Sequence, residues 1–593
     1  MIKGLLAALI VLTSGFLVQG SNHDCPAYPA SKWSFNPETL AEKAEFQNQM
    51  MVQLAASVPG RDVFGATVRQ NFVDEHIFSR LESEGFQPAN LAGDEEFIRR
   101  IYLDLTGRLP DYDKVISFLD DQSTNKRDRL IDELLNSEAF IDRWTFWLNE
   151  VIRNTSSYAN VTIQGRNALH FYIRDAIERN VPYNVLVSDL IKGSGSARSN
   201  GPATFVLRSY SAADPLHDSW DDFTANTMSA FLGITSLCVS CHDGARHLEA
   251  INTYLAERKR REFWQQAAFV SQMTITRIPL DGSNRIVDYE IEDRPGGAYH
   301  TRVTGGQRPL RSGGPYSPVY MLSGDAPRTS CYRAELARIL TSDIQFARAT
   351  ANRVWAHLMG VGIVDPVDGF DPLRYQVQAS HPELLDALAR DFINSGYNLR
   401  HLIRRIVTSS AYQLSVRYPG TWRESYRRLY ARKITRPLDA EEIHDSIVKA
   451  TGMTTMYFID GFDRPVTWAM QLPDTNEPRR GDALAFMRVF GRGNRVDQLR
   501  STDSSILGSL SMMNSTFITT RVTSANSTNV ARLLQMQMSD EELVNRMFLQ
   551  TLSRRPTTEE RQAALANRPR NRTEWAEDVQ WVLLNKLDFL FSY

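Results

Sequence analysis

The sequence predicts a mainly α protein, two helical domains joined by a small β-rich insert or linker. Three observations lead there. Apolar residues recur at helical spacing through 94–270 and again through 327–593. Between them, 271–326 holds short β-branched runs broken by Asp281-Gly282, and then glycine and proline clusters. The 593 residues are 42% hydrophobic and 23% charged, a balance that supports large cores and excludes disorder as a whole-chain description. Lys and Arg number 67 against 69 Asp and Glu, so no bulk positive field points to nucleic acid. Four cysteines are too few for a disulfide scaffold, so any chemistry has to come from local motifs.

The elements follow in order. Residues 1–20 read as a secretory signal peptide. Lys3 gives a basic start, Gly4 to Val18 is apolar, and Val18-Gln19-Gly20 puts small residues at the cleavage site. The expected location is therefore periplasmic or secreted. No later run is long and apolar enough for a membrane span, so none is expected after signal cleavage. Residues 21–93 are mixed and irregular. From Asp94 the pattern is helical. Phe97, Ile98, Ile101, Leu103 and Leu105 form one run, and Pro110-Asp111 breaks it and opens the next helix. Leu130, Ile131, Leu134 and Leu135 make another stripe, and Phe140, Trp144, Trp147, Leu148 and Val151 a third. Residues 193–202, rich in glycine and serine, read as a loop. Thr274-Ile275-Thr276, Asp281-Gly282, Ile286-Val287 and Tyr289-Glu290-Ile291 read as strand, turn, strand, and 304–326 as an interdomain connection. In the second half, Ser380-His381-Pro382-Glu383 is expected to cap a helix that stops at Gly396. Asp439 to Ala450 is another helix, ended by Gly452, and 530–590 is helical again.

One spacing recurs. Asp94-Glu95-Glu96, Arg100, Leu103, Arg108 and Pro110 are matched by Asp540-Glu541-Glu542, Arg546, Leu549, Arg554 and Pro556. Shared helix-start chemistry accounts for it, and so does a duplicated helical element.

The motif that carries chemistry is Cys238-Val239-Ser240-Cys241-His242. C-x-x-C-H is the c-type haem attachment pattern. Two thiols at this spacing reach the two vinyl groups of one haem, and the next residue presents its imidazole to the iron. Cys238 and Cys241 are thus the expected attachment sites of a covalent haem c, and His242 the expected proximal ligand. The sixth ligand is open among His217, His247, His357, Met228 and Met273, or is absent. The same residues also admit a Cys238–Cys241 disulfide, or a small metal site made by Cys238, Cys241, His242 and His247. The remaining thiols, Cys25 and Cys331, are expected to pair as a disulfide in an oxidising compartment. No G-x-S-x-G, P-loop or H-E-x-x-H is present. Arg99, Arg100, Asp104, Arg353, His357, Asp365, Asp368 and His381 are explained by buried Arg–Asp pairs joining helices at least as well as by catalysis.

Residues 94–270 resemble the planctomycete-type cytochrome-associated family DUF1549 (PSCyt2). The resemblance rests on Phe97 to Pro110, Arg127, Leu130 to Ser137, Arg143-Trp144, and Phe231-Leu232-Gly233 leading into Cys238 to His242. Residues 327–590 resemble its usual partner, DUF1553 (PSD1), through Asn352-Arg353-Val354-Trp355, His357, Gly362-Ile363-Val364, His381 to Asp386 and Phe490 to Arg495. The resemblance implies an exported protein associated with c-type cytochromes. Family members continue the motif as Cys-His-Asp-His-Pro, whereas here Cys241-His242-Asp243 runs into Gly244-Ala245-Arg246-His247, so His247 is a substitute for the missing histidine only by a shifted spacing. The expected function is that of an exported monohaem c-type cytochrome-like protein, transferring electrons with a redox or envelope partner. The alternatives are a non-haem envelope scaffold and an exported metal-dependent hydrolase, directed to polysaccharide.

Overall fold

The structure, a computed structural model, describes residues 49–50, 53–54, 68–283, 285–301, 306–498, 500–501, 506–566 and 571–593. The signal segment and Cys25 lie outside the described residues, and with Cys25 the proposed pairing to Cys331.

Helices dominate. The first long one, Asp94–Thr106, starts on three acids that complement its dipole and ends at Gly107 in the left-handed conformation. Its apolar positions are buried, and so are Arg99, Arg100 and Asp104. Glu138–Val151 is capped by Ser137, whose side chain accepts from the Phe140 N–H at 3.1 Å. Ala440–Thr451 opens on an Asp439/Glu442 capping box and closes at Gly452.

The expected strand–turn–strand is present. Met273–Pro279 pairs antiparallel with Val287–Asp293 in continuous register, Ile275 opposite Ile291. A third strand, Gly195–Ser196, adds to the other edge of Val287–Asp293. It falls inside the stretch read as loop, and Gly201–Leu207 at the end of that stretch is a helix with Pro202 in its first turn. Two residues of glycine and serine are too short to show strand periodicity, and the partner strand, not local propensity, orders them. The capping box over 380–383 is also corrected. His381 is the N-cap, Pro382 follows it, and no side chain caps the helix Pro382–Asn394. The Ser380 N–H donates instead to the Ile363 carbonyl at 2.9 Å, which holds Ser380 outside the helix.

Buried apolar side chains gather in two main clusters. The larger runs from Val73 to Ile434, takes in Leu549 as well, and draws on both flanks of the insert, with Phe231 and Leu232 on one side and Phe346 and Trp355 on the other. The smaller runs from Leu438 to Phe589 and takes in Leu103 and Leu109 from the first long helix and the turn after it. No helix among the described residues is long and apolar enough to cross a membrane.

The recurring spacing corresponds to equivalent structure. Asp94–Thr106 and Asp540–Leu552 are both 13-residue helices, ended by left-handed Gly107 and Ser553. Arg127 bonds Asp94 Oδ1 at 2.8 Å and the Ala92 carbonyl at 2.7 Å. Arg572 bonds Asp540 Oδ1 at 2.9 Å and the Met538 carbonyl at 2.8 Å. Arg108 pairs with Asp142, and Arg554 pairs with Asp588, each 34 residues on. These three matching contacts, with the matching helix ends, exceed what helix-start chemistry alone provides.

Candidate functional site

The helix Leu216–Leu232 ends at Gly233, and the chain then runs into a single 3-10 turn, Leu237–Ser240. The Phe370 N–H donates to the Gly233 carbonyl at 2.9 Å, so the second half of the chain pins the approach to the turn. Within it, Cys241 N–H and His242 N–H both donate to the Cys238 carbonyl, at 3.0 and 3.2 Å. Positions i, i+3 and i+4 of a helical turn share one face. Cys238, Cys241 and His242 therefore share one side of one turn.

The three differ in access. Cys238 is 1% exposed and belongs to the larger core cluster. Cys241 and His242 are half-buried. Among the described residues no disulfide joins Cys238, Cys241 and Cys331, and Cys331 is exposed. His242 Nδ1 lies 2.8 Å from the Asp243 carbonyl. That contact is satisfied by a proton on Nδ1, which leaves the Nε2 lone pair free. His247 is the one candidate sixth ligand brought to this ring, with centroids 4.5 Å apart. Met228 sulfur accepts from Ser236 Oγ at 3.3 Å, His217 lies tilted against Trp220 with centroids 4.5 Å apart, His357 packs edge-on to Trp144, and Met273 is buried in the core. Among the described residues, no group of three or more His, Cys, Asp or Glu is placed to hold a metal ion.

Position 244 has no room for a side chain. Gly244 N–H donates to the Arg258 carbonyl at 2.8 Å, and a Cβ at this position would lie 1.8 Å from the Leu255 carbonyl oxygen. A histidine cannot stand at 244 with this backbone.

A charged network backs the turn. Arg260 donates from Nε to the Ser240 carbonyl at 2.8 Å and from its backbone N–H to Asp243 Oδ1 at 2.7 Å. Ser240 Oγ accepts from Arg308 Nε at 2.9 Å. Arg308 also pairs with Asp222, and Arg311 pairs with Asp218 and Asp221. Tyr299 hydroxyl donates to Asp221 at 2.8 Å. Burial pushes Asp221 up to about 6, with Arg308 and Arg311 pulling it back. Burial lowers Arg260, and the nearby Cys241 opposes that. Sequence reasoning missed Arg308 and Arg311. They lie in the glycine-rich connection, yet are 8% and 5% exposed. An arginine in such a stretch was the only available signal.

Of the other polar candidates, Arg100, Asp104 and His357 belong to one separate polar network. Arg100 pairs with Glu96 at 2.6 Å and donates to the Tyr412 and Tyr593 carbonyls. Asp104 meets Arg436 at 2.9 Å, Lys433 at 3.5 Å and Tyr412 hydroxyl at 2.8 Å. Arg436 and Arg143 converge on Glu442, each at 2.8 Å, and His357 Nε2 lies 3.3 Å from Arg143. Outside that network, half-buried Arg353 donates to the Ser229 carbonyl at 3.1 Å, and Asp365 is exposed rather than a buried partner. Burial pushes Lys433 down to about 7, against the pull of Asp104. These residues tie the first half of the chain to the second.

Residues 72–274 match PSCyt2, a protein of unknown function (DUF1549), and residues 332–567 match PSD1, a protein of unknown function (DUF1553). The first match takes in the helix Phe72–Ser83 and runs into the strand Met273–Pro279. No curated protein and no solved structure matches the chain.

Proposed function

We propose that this chain, in which a PSCyt2 (DUF1549) unit precedes a PSD1 (DUF1553) unit, is an exported monohaem c-type cytochrome-like protein that exchanges electrons with an envelope partner. The observation that carries the reading is the single turn that puts Cys238, Cys241 and His242 on one face, with His242 Nδ1 held by a carbonyl. Cys238 and Cys241 would hold the group through thioethers, and His242 Nε2 would face the iron. When bound, haem supplies one-electron redox chemistry. The chain's own residues fix the geometry. The Asp243 carbonyl sets the tautomer and angle of His242. Arg260 and Arg308 hold Ser240, and so hold the turn between the two cysteines. Since Cys238 is 1% exposed, attachment requires this thiol to be reached before the turn closes against its neighbours.

The test is expression with the signal peptide in a host that matures c-type cytochromes, followed by a reduced pyridine haemochrome spectrum after acid–acetone extraction. The expected result is a c-type α-band that survives extraction and is lost in a Cys238→Ala, Cys241→Ala variant. A folded, exported protein without the band overturns the reading. In that case a Cys238–Cys241 disulfide points to an envelope scaffold, and bound metal points to a metal-dependent hydrolase.

A further inference from the structure

The haem reading leaves Ser380 and His381 unused, yet they stand beside a cleft with the parts of an anion site. The cleft is about 370 Å³, and its lining includes Arg80, Phe86, Ser380, Ser425, Tyr426 and Arg428. A cleft of this size takes a single-ring ligand with an acidic group. Arg80 donates Nη1 to the Ser380 carbonyl and Nε to Glu84 at 2.8 Å. Arg428 donates Nη2 to the Gln378 carbonyl at 2.8 Å. The two guanidiniums are thus anchored to carbonyls two residues apart on one strap. Both guanidiniums line the cleft, two arginines against one lining carboxylate, Glu84, with Asp365 acting on Arg428 from outside the lining. Two anchored guanidiniums beside one cleft are a preformed donor pair for an oxyanion.

Two further features fit that occupant. Phe86 and Tyr426 form a tilted pair with ring centroids 4.5 Å apart, a surface for a flat ring. Behind Ser380, His381 is 3% exposed and its Nε2 has no hydrogen-bond partner. Burial and the charges of Arg80, His76 and Arg428 push His381 down to about 3, so it is a neutral ring at physiological pH.

We infer that this cleft binds a small molecule carrying an oxyanion, a carboxylate or a phosphate monoester, on a flat ring. Arg80 and Arg428 take the oxyanion in charge-assisted hydrogen bonds, and the Phe86–Tyr426 pair takes the ring. The site is separate from the cysteine turn and does not depend on the haem reading.

Isothermal titration of the full mature chain tests this, with phenyl phosphate, benzoate, inorganic phosphate and benzyl alcohol as probes. The ring-bearing anions are expected to bind more tightly than inorganic phosphate, and benzyl alcohol is expected not to bind. Arg428 is exposed, so Arg428→Gln should fold, and it should weaken phenyl phosphate about tenfold. Tyr426→Ala should weaken phenyl phosphate but not inorganic phosphate. Arg390→Gln, an exposed arginine on the neighbouring helix, should change nothing. No binding of either ring-bearing anion up to about 10 mM overturns the inference, as does equal binding by wild type and Arg428→Gln. Equal affinity for phenyl phosphate and inorganic phosphate overturns the ring part.

Discussion

Gly107 and Gly396 share a left-handed backbone, at φ of 66° and 71°, but they differ in what surrounds them. A Cβ on Gly107 would lie 2.9 Å from Met470 Cε and 3.1 Å from its Cγ, whereas one on Gly396 meets nothing within 4 Å. The conformation alone costs an alanine about 1–2 kcal/mol. Gly396→Ala should lose about that much in urea unfolding. Gly107→Ala should lose a further ~1–3 kcal/mol, because the Met470 stem near the backbone cannot swing aside. Equal losses would mean that Met470 repacks at no cost. Gly396 is visible in the sequence as a helix stop, whereas the run before Gly107 reads as broken at Pro110-Asp111, and only the structure brings Met470 to Gly107. The cysteine turn was legible for the opposite reason. Its chemistry lies in five consecutive residues, and local hydrogen bonds set their common face. Arg308 and Arg311 were illegible because long-range pairing with Asp218, Asp221 and Asp222, not their own neighbours, buries them.

The two related helical units show what sequence spacing can carry at the level of elements. Acids at the start, an arginine after the helix and a proline beyond it were readable, but the anchoring arginines Arg127 and Arg572 were not paired in advance. The reason is a one-residue difference before these arginines, 33 residues from Asp94 to Arg127 against 32 from Asp540 to Arg572, which breaks the fixed offset. If the units are held in the same way, Arg127→Gln and Arg572→Gln should each cost about 1.5–3 kcal/mol, since each loses a charged bond to a helix-start aspartate and one to a carbonyl. The losses should add in the double variant, because the sites belong to separate units. Denaturant midpoints measure this, and a null effect at one site would break the equivalence. The errors at this scale were of a different kind. The strand Gly195–Ser196 and the start of helix Pro382–Asn394 are set by partners far along the chain, Ile291 and Ile363, and local propensity does not report them.

For the molecule as a whole, the mainly α class followed from periodicity, because most helices bury one stripe. What periodicity could not show is how many ion pairs are buried, between the halves and within each, and these make stability depend on pH. Burial alone would raise Glu560, but Arg554 outweighs it and brings the carboxyl down to about 2 from 4.5. Asp104, Glu441 and Glu442 are likewise lowered, their burial outweighed by Lys433 and Arg436, by Arg500 and Arg492, and by Arg143 and Arg436. A carboxyl with a depressed folded value binds fewer protons folded than unfolded across that interval. Its contribution is therefore fully present above about pH 4.5 and lost as pH falls toward 2. Asp221 runs the other way. Raised by burial from 3.8 to about 6, it binds its proton more readily in the folded state, so its contribution declines as pH rises from about 4 to 6. Thermal unfolding of wild type, Glu560→Gln and Asp221→Asn across pH 2–7 separates the two arms. Wild type should exceed Glu560→Gln at pH 6, and the gap should close as pH falls below 4.5. Asp221→Asn should gain on wild type as pH rises through 4–6. A Glu560→Gln gap that stays constant down to pH 2 would mean that the Arg554–Glu560 pair does not couple ionisation to folding.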